Sequence, residues 1–296
     1  MKRILLTGKN GQVGWELQRT LASLGQVIAL DSAALDLADA DAIRRKVREV
    51  QPHIIVNPAA YTAVDKAESE TDLAMSINGI APGIFAEEAK KLNALFVHYS
   101  TDYVFDGSKV GAYKEDDMPA PLSVYGKTKL AGEQAIRAAG CNHLILRTSW
   151  VYGARGKNFL LTMLRLARER SELRIVDDQI GAPTWCRSLG EITAQMLAQL
   201  YAPGAGSEAL TRASGTYHLT SAGSVSWHGF AAEIIRLAEI QPAPNLVPIP
   251  SREYPTPAVR PLNSVLSNDK LLRAFGLQAG SWQDNLQLCM QEKGSC

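Results

Sequence analysis

The sequence predicts an α/β fold: a Rossmann-type doubly wound parallel sheet with a smaller C-terminal substrate-binding lobe. Three observations carry that prediction. Short apolar runs alternate with stretches of helical apolar spacing through the first half. The first run ends in a glycine-rich turn that itself opens a helix. After about residue 150 the alternation loosens and prolines and small residues accumulate.

Taken in order, KRILLTG reads as a buried strand ending in glycine, and GQVGWELQRTLASLG as a helix stopped by glycine. QVIALD is the second strand, followed by a helix around 39–50 and the strand HIIVN at 53–57. A long helix around 70–92 leads to the strand ALFVHYS at 94–100. A loop, a helix opening near Val124 and the strand HLILRTS at 143–149 complete the series. Strand–helix alternation of this kind builds a parallel sheet covered on both faces, wound by right-handed crossovers. Residues 1–150 are therefore expected to form the dinucleotide-binding domain, completed by strands near 173–177 and 215–220.

Residues 151–296 are expected to be mostly the substrate lobe. A helix near 157–170, the strand LRIVD and the segment QIGAPTW precede a helix near 187–201. APGAGSEALTRASG, at 202–215, reads as a surface loop. The strand TYHLT, a helix near 226–240, an ordered proline-rich crossing at 241–261 and two short helices follow. Internal repeats are absent from the sequence.

Composition narrows the function classes. Hydrophobic residues make up 46% and charged ones 21% of 296, with a formal net charge of +1 and no Lys/Arg run, which argues against a nucleic-acid partner. Cys141, Cys186, Cys289 and Cys296 are scattered without zinc-like spacing, which favours a reducing compartment. MKRILLTGKNG carries too few apolar residues for a signal-peptide core, and no later run approaches a membrane span. The expectation is a cytoplasmic protein with no membrane partner.

Thr7-Gly8-Lys9-Asn10-Gly11-Gln12-Val13-Gly14 stands between the first strand and its helix. Glycines there permit the tight turn and let backbone approach a diphosphate, whose charge meets the N–H groups of a helix N-terminus. Gly8, Asn10, Gly11, Gln12, Val13 and Gly14 are thus candidate dinucleotide contacts. Asp31 closes the second strand, where a carboxylate accepts from the adenosine ribose. No Arg or Lys follows it in DSAALDLAD to hold a 2′-phosphate, which favours NADH over NADPH. Asp36, Leu37, Asn57, Ala59, Ala60 and Thr62 are candidates for the adenine and nicotinamide sides.

In VYGKTKLAGEQAI, Tyr125 and Lys129 lie four apart at the opening of a helix, so both reach one region of space. Spacing alone leaves two readings open, a tyrosine acid with a lysine partner or a solvated helix face. TGKNGQVG, STDYVFDG at 100–107 and YGKTK at 125–129 in this order resemble the extended short-chain dehydrogenase/reductase superfamily. Within it, PAAYTAVDKAE, RTSWVYG, DDQIGAPTW and RPLNSVLSNDKL are similar to stretches of the dTDP-4-dehydrorhamnose reductases.

That resemblance implies NADPH- or NADH-dependent reduction of dTDP-6-deoxy-L-lyxo-4-hexulose to dTDP-L-rhamnose. It assigns Tyr125 as proton donor, Lys129 as its electrostatic and cofactor-ribose partner, and Thr101 as a hydroxyl on the substrate carbonyl. A free tyrosine has a pKa of about 10, and a neighbouring ammonium is expected to lower it. Ser100, Tyr103, Trp150 and Arg260 are implied substrate contacts, Arg260 for the diphosphate. Dehydratases of the superfamily carry Asp-Glu after the threonine; Tyr103 stands at the glutamate position, which argues for reduction. The resemblance further implies a homodimer with Mg²⁺ held by Glu16, Glu191 and Glu292. An epimerase, another deoxysugar ketoreductase and a non-catalytic cofactor-binding subunit are the alternatives.

Overall fold

In the computed structural model, which describes residues 1–294 apart from Ala205 and Ser207, the glycine turn sits at the carboxyl edge of a six-stranded sheet. Strands β1 (Arg3–Leu6), β2 (Gln26–Ala29), β3 (Ile54–Asn57), β4 (Leu95–Thr101) and β5 (His143–Thr148) pair in parallel. Gly215–His218 adds to β5, so the order is Gly215–His218, β5, β4, β3, β1, β2. The order reverses between β1 and β3, and such a switch point opens the crevice in which doubly wound sheets bind ligands.

Both sheet faces are apolar, as a buried parallel sheet requires. Leu5, Ile55, Phe96 and Ile145 pack under helices carrying Ile43, Val47, Phe85 and Ile136. On the other face Ile4, Leu6, Val56, Val97 and Leu146 meet Leu17, Leu189 and Met196. Leu189 and Met196 belong to the Cys186–Leu200 helix, so the second half of the chain also covers the sheet.

One expected strand goes elsewhere. Glu172–Val176 does not join the main sheet; it pairs in parallel with Asn245–Ile249 in a separate two-stranded sheet. Its alternation is the reason. Leu173 and Ile175 are buried while Glu172 and Arg174 are exposed, a pattern for a strand with one wet face. Those two apolar residues join Phe230, Ile234 and Trp282 in the core of the C-terminal lobe. In the stretch expected to be a loop, Glu208–Ala213 is a short helix, while Ala205 and Ser207 lie outside the described residues, as does Cys296.

The long helix around 70–92 contains a π-helical turn, Ser76–Ile80, between Thr71–Met75 and Ala81–Leu92. Such turns mark functional neighbourhoods because they re-aim side chains. Here the turn buries Asn78, whose amide accepts from Tyr61 N at 2.8 Å and donates to Tyr61 O at 3.1 Å, fixing the loop after β3. Among the described residues no helix is long and apolar enough to cross a membrane.

Candidate active site

The turn after β1 is built by close approach. A Cβ on Gly14 would lie 2.0 Å from the Gly8 carbonyl oxygen, so only glycine lets the helix Gln12–Thr20 start against the turn. Gly8 itself has φ +60° and packs on Ala59. Thr7, Gly8, Asn10 and Gly11 line one side of a cavity of about 260 Å³; Asp31, Asp36, Leu37, Ala59, Ala60 and Ile77 line the rest. This is the shape a dinucleotide's adenosine half needs. The turn leaves backbone for a diphosphate, and Asp31 stands at the rim.

Three of the expected contacts have side chains that lie outside this cavity. Thr62 is exposed and not part of that cavity. Val13 wedges between the two large core clusters. The Gln12 side chain accepts from Asn158 Nδ2 at 2.9 Å, tying the turn to the C-terminal lobe. The search for a cation downstream of Asp31 also missed one upstream. Lys9, within the glycine turn, places Nζ 3.1 Å from Asp31 Oδ2. That contact, with the Ala34 amide, holds the Asp31 carboxyl below its ordinary pKa.

β4 delivers the reacting groups. Thr101 ends the strand, buried, and its hydroxyl donates to Asp102 Oδ1 at 2.8 Å while accepting from Tyr103 N at 3.2 Å. Ser123 caps the helix Val124–Ala139 by accepting from Gly126 N at 3.2 Å, which fixes where its first turn begins. A Cβ on Gly126 would lie 2.2 Å from the Tyr103 carbonyl oxygen, so glycine lets that turn press onto the end of β4. Tyr125 is thereby set edge-on to Tyr103, ring centroids 5.5 Å apart, beside the Thr101 hydroxyl.

Electrostatics correct one expectation. Lys129 does not lower the Tyr125 pKa in the protein alone; burial, partly countered by Thr101, pushes the phenol up to about 12. The ammonium points beneath the tyrosine rather than at it. Lys129 Nζ donates to Tyr99 O at 2.6 Å and lies 3.1 Å from His98 Nε2. Fully buried, Lys129 has its pKa lowered to about 7, with Glu133 opposing the drop. Asp102, equally buried, is raised to about 6.

The substrate-side residues divide. Tyr103 and Arg260 interact beside Tyr125. Arg260 grips Asp65 with two nitrogens at 3.1 and 2.9 Å and lines a cleft of about 650 Å³ with Trp227, Phe159 and Tyr254. Trp150, at φ +46°, stacks on Trp227 with centroids 3.5 Å apart. Ser100 does not face that cleft. It is buried and donates to Glu133 Oε1 at 2.6 Å, inside a network in which Arg147 binds Glu133 at 2.9 and 2.7 Å. Asp65, His98 and Trp227 gave no signal in the sequence as site residues, while Asp102 was marked there only as part of the segment that separates reduction from elimination.

Glu16, Glu191 and Glu292 do converge, since all three act on Arg19. Arginines already occupy them: Arg19 pairs with Glu16, and Arg187 with Glu191 at 3.2 Å and Glu292 at 3.3 Å. Guanidinium groups satisfy the carboxylates a cation would need, and among the described residues no cluster fits a metal. The expected magnesium site is therefore not supported.

The chain is similar to known proteins over nearly its whole length. A family model described as the RmlD substrate binding domain matches residues 1–294. A dTDP-4-dehydrorhamnose reductase of Burkholderia thailandensis is 50% identical over 296 residues, covering 98% of each chain. That of Escherichia coli K12 is 45% identical over 298 residues, covering 98% of this chain and 97% of its own. A crystal structure of dTDP-4-dehydrorhamnose reductase from Bacillus anthracis in complex with NADP superposes with a TM-score of 0.88 at 38% identity, covering 98% of this chain and 99% of that one. A Thermus thermophilus UDP-glucose 4-epimerase complexed with NAD, 20% identical with a TM-score of 0.81 over 99% of both chains, shares the fold.

Proposed function

The chain belongs to the dTDP-4-dehydrorhamnose reductase family, and from that premise we propose how its own residues carry out the reaction. It is a nicotinamide-dependent oxidoreductase that reduces dTDP-6-deoxy-L-lyxo-4-hexulose to dTDP-L-rhamnose. Thr7–Gly14 and the cavity bounded by Asp31 and Ala59 would hold the cofactor, which supplies the hydride that reaches sugar C4.

Addition of hydride to C4 places negative charge on the ketone oxygen, which takes the Tyr125 Oη proton as that charge develops. A phenol pushed up to about 12 stays protonated near neutrality. Lys129, which does not set the pKa of the resting phenol, would supply positive charge beneath the phenolate that forms with substrate and cofactor in place. Thr101 gives its hydrogen to Asp102 in this structure and stands beside Tyr125, where its hydroxyl would position the phenol and the ketone oxygen. Arg260 and the stacked Trp150–Trp227 pair would receive the nucleotide diphosphate and sugar. Elimination would need a second base where Tyr103 stands, and Tyr103 has its own pKa raised by burial.

The observation that carries these roles is the placement of Tyr125, edge-on to Tyr103, beside Thr101 at the end of β4, with burial holding its pKa above the ordinary value. Tyr125→Phe tests it: cofactor affinity is expected within about twofold of normal while kcat falls at least about a hundredfold, the scale of a lost general acid. Near-normal kcat would remove Tyr125 from the role. We further propose a cytoplasmic homodimer, checked by light scattering of the purified chain.

A further inference from the structure

We propose that His98 is the positioning residue of the active-site lysine: its imidazole accepts a hydrogen bond from Lys129 and so aims the ammonium at the underside of Tyr125. The inference rests on the catalytic reading of Lys129 given above. An ammonium has three N–H bonds and no acceptor. One goes to Tyr99 O at 2.6 Å and a second lies 3.1 Å from His98 Nε2. Both of these partners come from β4, so that strand fixes where the ammonium sits beneath Tyr125.

His98 is in turn held by a file of polar residues across the sheet's carboxyl edge. Its Nδ1 lies 3.2 Å from the Asn57 carboxamide, its register partner in β3. Asn57 meets the Thr7 hydroxyl at 2.5 Å, immediately before the glycine turn. All four side chains are at most 2% exposed. Burying so many polar groups is costly unless each is bonded, and apolar residues fill the adjoining strand positions. The file links the cofactor turn to the lysine.

Chemistry fixes its protonation. Since Lys129 only donates, Nε2 must accept and the neutral ring carries its hydrogen on Nδ1. In the structure the Asn57 carboxamide oxygen accepts from Thr7 Oγ1 at 2.5 Å and its nitrogen lies 3.2 Å from His98 Nδ1, so an Nδ1–H ring requires the carboxamide to turn over, with Thr7 Oγ1 moving outward to accept from the NH₂. Burial and the neighbouring ammonium hold the His98 pKa well below its usual value, so the ring stays an acceptor. The other ionisable groups around Lys129 are Glu133 one turn along its helix, Arg147 from β5 bound to Glu133, and Tyr125 and Asp102 above.

Two measurements test this. Nitrogen-15 NMR of histidine-labelled protein, alone and with NADP⁺, should show His98 as the neutral Nδ1–H tautomer while Lys129 is an ammonium, from about pH 5.5 to its pKa of about 7, where an ordinary imidazole titrates. An Nε2–H tautomer, or titration in that range, would overturn the proposal. His98→Leu removes the acceptor, while His98→Gln can place a carboxamide oxygen near the Nε2 position. Losing a hydrogen bond to a charged group predicts a kcat about tenfold to a hundredfold lower in His98→Leu. It also predicts an alkaline limb moved about one pH unit down, because the buried ammonium loses stabilisation. His98→Gln should restore the limb. Equal losses in both variants with an unshifted limb would mean a merely structural ring. Lys129→Met separates the two readings: if it retains turnover, the role of the lysine fails; if it is inactive and His98→Leu keeps its limb, only the role of His98 fails. Should His98→Leu not fold, the tautomer in the unaltered protein still decides.

Discussion

Lys9 offers the sharpest perturbation of cofactor choice. In the structure its ammonium lies 3.1 Å from Asp31, and the two side chains are 34% and 25% exposed. With NADH, Asp31 accepts from the ribose hydroxyls and Lys9 merely neutralises it. With NADPH, a 2′-phosphate arrives beside that carboxylate, and Lys9 is the cation that can turn from one anion to the other. A hydrogen bond between charged groups contributes about 1.5–3 kcal/mol, and partial exposure keeps Lys9 near the lower figure. Lys9→Ala should therefore lower kcat/KM for NADPH by about tenfold, at 1.4 kcal/mol per decade, while NADH changes by less than about threefold. Cofactor dissociation constants, from fluorescence titration, should move in the same ratio. Asp31→Ala should act in reverse, weakening NADH more. Equal losses with both cofactors after Lys9→Ala would refute the assignment.

Other expectations follow from buried charges. Glu133→Ala leaves Arg147 uncompensated in the interior, a loss of about 3–5 kcal/mol. At about 2–4 °C per kcal/mol for a chain of this size, the melting temperature should drop by roughly 6–20 °C; a fall below about 2 °C would contradict the network. Because the Lys129 pKa is lowered to about 7 and the ammonium is the useful form, kcat/KM should decline as pH rises through about 7. An alkaline limb beginning only above about pH 9 would contradict a buried ammonium. Glu88, bound by Arg48 at 2.9 Å and Lys91 at 2.7 Å, has its pKa lowered from 4.5 to about 2. Its contribution is complete above pH 4.5 and is lost as pH falls through about 2. Urea titrations should show Glu88→Gln costing on the order of 3 kcal/mol at neutral pH and progressively less in acid; an equal cost at both would contradict the linkage.

Local signals made the sheet and the glycine turn legible. Four-residue apolar runs ending in glycine or aspartate can satisfy few other folds, and the turn's spacing carries its own steric logic. Glu172–Val176 was misplaced because an apolar run says little about which sheet will have it; the half-wet alternation of Leu173 and Ile175 was the clue. At the site, Tyr125 and Lys129 were readable from spacing joined to a resemblance, but their electrostatics were not. A pKa depends on burial and partners brought from β4, which lies about thirty residues away. Lys9 was overlooked because the rule for ribose recognition looks downstream of the strand-two acid. Ser100 was assigned outward, whereas Glu133 and Arg147, both far along the chain, draw it inward. The three glutamates do meet; Glu16–Arg19 and Arg187–Glu191 are helical spacings readable in the sequence, whereas Arg187–Glu292 joins two helices and leaves no local trace.

The most direct test of the central claim is the fall in reduced-nicotinamide absorbance when the protein meets dTDP-6-deoxy-L-lyxo-4-hexulose made in situ, with Tyr125→Phe run in parallel. Oxidation that requires protein, cofactor and ketosugar together, yields dTDP-L-rhamnose and nearly vanishes in Tyr125→Phe is the predicted result. Tight cofactor binding with no oxidation, or equal oxidation by the variant, would contradict the account.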